Sequence, residues 1–94
     1  MLAIIAKLNV APGKGSDFEK VMLGLAKEVR ANESGNKLYT LTKNAAGEYF
    51  VLELYDNEAA LEAHRNSAHF KAAGPKFAGL MNGRPELQML TVVG

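Results

Sequence analysis

His64 is the side chain best suited to exchange a proton near neutral pH, because an unperturbed imidazole titrates close to that range. Shortly before it stand Glu53 and Tyr55, two positions apart and so on one side of any strand that holds them. A proton acceptor, a carboxylate and a phenol gathered around one bound molecule can perform general acid–base chemistry. Each has a structural alternative. His64 either takes a proton from a substrate or anchors a helix to a sheet through a hydrogen bond, with Glu53 as one partner. A carboxylate within an apolar strand needs a partner when buried, so Glu53 either orients His64 or pairs across a subunit interface. Tyr39 and Tyr55 either line a pocket and bond a substrate oxygen or pack with a wet hydroxyl. Arg65 and His69 follow His64, at a pocket mouth where Arg65 can meet an anionic ligand, or on a solvated surface. Asn9, on the same strand face as Lys7, bonds either a substrate or the backbone. His64 and His69 would lie about 140° apart on a continuous helix, which argues against a shared metal site.

The elements that must position these groups follow from periodicity. Residues 2 to 10 alternate as a strand, with Leu2, Ile4, Ala6, Leu8 and Val10 on one face. Ala11 to Gly15 forms a turn, and Ser16 with Glu19 matches a capping box that opens a helix. Phe18, Val21, Met22, Leu25 and Val29 make its apolar stripe, and Asn32 to Gly35 ends it. Residues 37 to 43 and 48 to 55 read as strands joined by a four-residue hairpin loop. That register sets Tyr39 on the face opposite Glu53 and Tyr55, so only one of these sets can face the helices. Asp56 caps a second helix with Ala60, Leu61 and His64 inward, and Ser67 begins a further turn carrying Phe70. Gly74-Pro75 breaks the run, Pro75 starts a short helix bearing Phe77, Leu80 and Met81, and residues 87 to 93 form the last strand.

The expected architecture is therefore α+β, a ferredoxin-like β-α-β-β-α-β arrangement with one antiparallel four-stranded sheet. Ninety-four residues hold a single domain, 1–94, and bury little more than about 60% of their unfolded surface. No cysteine is available as a staple, which fits a reducing compartment. A partner subunit is the remaining source of stability, and apolar residues on both sides of the last strand point to sheet-to-sheet packing in a homodimer. A net charge of +1 with scattered charges leaves no footprint for nucleic acid. The apolar N-terminal run is too short for a membrane span and lacks a basic leader, so the expected location is the cytoplasm.

The stretch from Glu53 to Phe70, with Pro12-Gly13 and Tyr39, resembles the antibiotic biosynthesis monooxygenase family, whose pattern runs roughly E-x-[WY]-x-[DS]-x-x-A-L-x-x-H-x-x-S-x-H-[FM]. The resemblance covers nearly the whole chain. It implies a dimeric α/β barrel with a pocket between the sheet and helices of each subunit. It also implies cofactor-free oxygenation of a quinol or an aromatic polyketide, with no metal or flavin, and no dinucleotide fingerprint is present. On this reading His64, Tyr55 and Glu53 are the catalytic candidates, and Tyr39, Asn9, Arg65 and His69 the substrate-binding ones. Two other uses of the scaffold remain open: an isomerase of a small phosphorylated sugar-like metabolite, for which Arg65 or Lys7 would hold the anion, and a non-catalytic dimeric ligand-binding module. Haem degradation is disfavoured because the chain has no tryptophan. RNA recognition is disfavoured because Glu48 to Tyr55 lacks the aromatic and basic signature.

Overall fold

Alternation of apolar residues produces the four strands that the computed structural model shows for the whole chain, Met1–Gly94. They are β1 (Leu2–Leu8), β2 (Asn36–Lys43), β3 (Tyr49–Tyr55) and β4 (Glu86–Thr91). The helices are α1 (Gly15–Asn32), α2 (Glu58–Arg65) and α3 (Ala68–Lys76). The strands form one antiparallel sheet in the order β2-β3-β1-β4, the ferredoxin-like arrangement. Ile4, Ala6 and Leu8 of β1 with Val51 of β3 meet Phe18, Met22, Leu25 and Val29 of α1 in the core. Pro12-Gly13 supplies the turn after β1, with Gly13 at φ 77°.

Several local expectations are corrected. Asn44 donates its amide to the Glu48 carboxylate at 2.9 Å and accepts the Glu48 N–H at 2.8 Å, which keeps Glu48 in the loop. The hairpin loop is thus one residue longer than expected, and Tyr39 pairs with Glu53 rather than with Leu52. A one-residue slip turns every side chain over, so Tyr39, Glu53 and Tyr55 share the face under the helices. The Ser16–Glu19 capping box does not form. Helix α1 starts at Gly15, and Glu19 instead accepts a hydrogen bond from the Tyr49 hydroxyl. A side chain at position 15 would crowd that hydroxyl, since a Cβ there would stand 3.0 Å from it. Asn57, not Asp56, caps α2 by accepting the Ala60 N–H at 2.9 Å.

Beyond α2 the chain makes a full helix where a turn was expected, giving the order β-α-β-β-α-α-β. Gly74-Pro75 does not interrupt it: Pro75 lies in the last turn of α3, where the cost is the one bond its N–H would have made to the Lys71 carbonyl and the helix ends just beyond it. Phe77 to Leu80 then form turns rather than a helix, and Phe77 packs on Phe18 with ring centroids 5.8 Å apart. No helix is long and apolar enough to cross a membrane.

Candidate functional site

Between the sheet and the three helices lies a cavity of about 350 Å³, within the size range of small-molecule sites. Its walls are aliphatic and aromatic except for Tyr39, Glu53, His64 and Arg65. Helix α2 presents His64 because Leu61 and His64 are its two buried positions, three apart and so on one face. The imidazole is held among rings, with centroids 4.7 Å from Phe70, 5.3 Å from Tyr39 and 5.5 Å from Tyr55. Its Nδ1 lies 2.9 and 3.1 Å from the two oxygens of Glu33. A carboxylate on Nδ1 favours the tautomer with the proton there and leaves Nε2 free to accept. Nε2 and the Tyr39 hydroxyl have no protein partner, yet neither is sealed from open space, so both are available to a molecule in the cavity.

Glu53 stands beside them with one oxygen accepting the Tyr55 hydroxyl at 2.6 Å. Burial pushes its carboxyl up to about 7, against which the Tyr55 hydrogen bond works in the opposite sense. Burial likewise raises both tyrosines, and the neighbouring Glu53 carboxylate adds to it, so the two phenols stay protonated donors. Arg65 lies on the cavity wall with its side chain 45% exposed, 4.0 Å from Glu62.

The chain brings Glu33 to His64 through two close approaches. After α1, the loop passes beneath α2 at Gly35, where a Cβ would meet the Ala60 Cβ at 2.6 Å. Only glycine lets α2 sit that low, and Gly35 also accepts the Asp56 N–H at 2.9 Å. At the other end of α2, Ser67 donates its hydroxyl to the His64 carbonyl at 2.7 Å and caps α3 by accepting the Phe70 N–H. The resulting bend breaks the helical line between the two histidines and swings His69 back, so its Nε2 donates to Glu33 as well. The rings expected to diverge instead converge on one carboxylate.

The sequence profile of the family described as antibiotic biosynthesis monooxygenase matches residues 1–76. The chain belongs to that family. A Bacillus subtilis (strain 168) protein, YcnE, that carries monooxygenase in its name is 33% identical over 73 residues, 76% of each chain. A crystal structure from Caulobacter crescentus CB15, described as an antibiotic biosynthesis monooxygenase, is 42% identical and superposes with a TM-score of 0.94 over 99% of this chain and 90% of the other. Rv0793 from Mycobacterium tuberculosis, at 24% identity, shares the fold with a TM-score of 0.89 over 99% of this chain and 95% of the other. Family membership supports a monooxygenase-like function without naming the substrate.

In this family member the candidates separate into distinct places. His64, Glu53, Tyr39 and Arg65 line the cavity, whereas Tyr55 sits behind it, buried and bonded to Glu53. His64 is anchored by Glu33 rather than by Glu53. Asn9 lies off the cavity and donates to the Arg84 carbonyl at 2.9 Å and to Glu86 at 3.1 Å, which fastens the segment before β4. Lys7 pairs with Glu48 at 3.0 Å. His69 faces Glu33 and the outer groove rather than the cavity. Glu33 is the residue that sequence reasoning missed. One signal was present, since an acidic residue just past a helix C-terminus opposes the helix dipole and asks for a cationic or donor partner.

Proposed function

We propose that this chain is a cofactor-independent monooxygenase that oxidises a quinol or related phenolic compound with O2, with His64 as the proton acceptor. The observation that carries the reading is the unpaired His64 Nε2 on the wall of a largely apolar cavity, with Glu33 fixed on the opposite nitrogen. The substrate O–H proton passes to Nε2, while the Tyr39 hydroxyl bonds the resulting oxyanion. The electron-rich ring then meets O2. One oxygen atom replaces a ring hydrogen as a carbonyl, and the other leaves as water with that hydrogen and the hydroxyl proton. Apolar walls favour the transfer by excluding water from the charged ring. Glu53 holds the polar corner, and Tyr55 positions it.

A homodimer belongs to the same proposal. Ala3, Ile5, Leu52, Leu54 and Leu90 lie on the sheet face away from the helices, where a second copy covers them. An isomerase of a phosphorylated metabolite finds less support, since Arg65 is the cavity's single cation.

Oxygen uptake with a panel of hydroquinones and naphthoquinols, in chelator-treated protein, tests the proposal. Wild type should consume oxygen, and His64→Ala should lower kcat/KM by roughly 10²- to 10⁴-fold. Tyr39→Phe, which keeps the packing, should lose less. Equal background oxidation by wild type and His64→Ala removes the enzymatic claim, and tight substrate binding without oxygen consumption would favour the binding module.

A further inference from the structure

We propose that Glu33, His64 and His69 form a binding site for a divalent transition-metal ion of the zinc type, on the side of His64 turned away from the cavity. The proposal goes beyond the oxygenase reading and does not depend on it.

The donor set comes first. Two imidazole nitrogens and one carboxylate, with water in the remaining position, is a ligand combination that zinc accepts in an open tetrahedral site. The three ligand atoms lie within 4.8 Å of one another. His64 Nδ1 stands 2.9 and 3.1 Å from the Glu33 oxygens. Ligands on an ion at about 2.0–2.2 Å are roughly 3–3.5 Å apart, so binding requires the two imidazole nitrogens to close in from as much as 4.8 Å while both draw back from Glu33.

The surroundings also suit an ion. The side chains of His64, Glu33 and His69 are 4%, 8% and 12% exposed, so a cation there would be held by protein and not merely screened at the surface. The backbone around the ligands is tied down. The Glu33 N–H donates to the Val29 carbonyl at 3.0 Å, and its carbonyl accepts the Asn36 N–H at 3.2 Å. Ser67 holds the bend that aims His69 inward. Access comes from a groove of about 420 Å³ lined by Glu33, Asn57, Ser67 and His69, which admits the ion and its completing water.

The cluster is also unusual for this chain. It has no cysteine and two histidines, and both histidines are in the cluster. A metal on Nδ1 would put the remaining imidazole proton on Nε2, so an occupied site presents a donor to the cavity where the vacant site presents an acceptor.

The test uses the full chain without a polyhistidine tag, stripped with chelator and titrated calorimetrically with Zn²⁺, then with Co²⁺ under visible spectroscopy. Wild type should bind one ion per chain and give the d–d absorption of cobalt in a nitrogen and oxygen site. Glu33→Gln and His69→Ala should each weaken binding by about 100-fold, with far-UV circular dichroism reporting the fold. Should His69→Ala fail to fold, Glu33→Gln, which keeps the side-chain shape, decides. No saturable binding by wild type up to about 100 μM zinc, or unchanged affinity in a folded variant, overturns the proposal. No substrate enters these measurements, so their failure leaves the oxygenase reading standing, and loss of oxygenase activity leaves this one standing.

Discussion

Under the helices the sheet carries Tyr39, Glu53 and Tyr55, while its opposite face carries Ala3, Ile5, Leu38, Leu52, Leu54 and Leu90. Polar groups are therefore buried where a core would be more stable without them, and leucines are left uncovered, with Leu38 42% and Leu90 39% exposed. Burying Glu53 with a single hydroxyl partner is unfavourable, so stability alone does not account for that face. Solubility alone does not account for the other. On the proposed function, one face serves chemistry in the cavity and the other contact with a second copy.

Truncation on the two sides gives the largest expected contrast. Phe18→Ala, beneath the helices and packed against Tyr49 and Phe77, should cost about 3–5 kcal/mol at any protein concentration. If the proposed homodimer forms, Leu52→Ala should instead cost more as concentration rises, because the leucine side chain would then pack between subunits and stabilise only the associated form. Urea denaturation at two concentrations at least 50-fold apart reads both, and a Leu52→Ala effect that ignores concentration would break the comparison.

Glu53 sharpens it with a smaller effect. Its folded carboxyl is raised by burial from the ordinary 4.5 to about 7, so the protonated form favours folding and that advantage is lost as pH rises through this window. Glu53→Gln should therefore change little at pH 4.5 and stabilise by up to about 3 kcal/mol at pH 8. Equal effects at the two pH values would mean that Glu53 is not desolvated. The smallest change is expected from Tyr55→Phe. Losing its hydrogen bond should destabilise by about 1 kcal/mol and push the Glu53 titration higher, as followed by carboxyl-carbon NMR. A downward shift would contradict the assigned role of that hydroxyl.

Much of this was legible in the chain. Alternation placed Ile4, Ala6 and Leu8 on one face, helical spacing turned Leu61 and His64 inward, and the stretch from Glu53 to Phe70 pointed to the family that the profile match shows. Tyr39 was misplaced because a strand period of two magnifies one residue of loop into a complete reversal, and Asn44 supplied that residue by holding Glu48 back. Glu33 went unnoticed because its partners are 31 and 36 positions away, beyond any local pattern.

The sequence by itself determined the strand and helix order up to His64 and which side chains were candidates to handle a proton, because hydrophobic period and side-chain chemistry are local properties. Tertiary structure decided which groups meet. Gly35 beneath Ala60 and the bend at Ser67 bring one carboxylate to two imidazoles, and the hairpin register puts both tyrosines on the side of His64. Those outcomes depend on close approach between distant segments, which only the packed chain specifies.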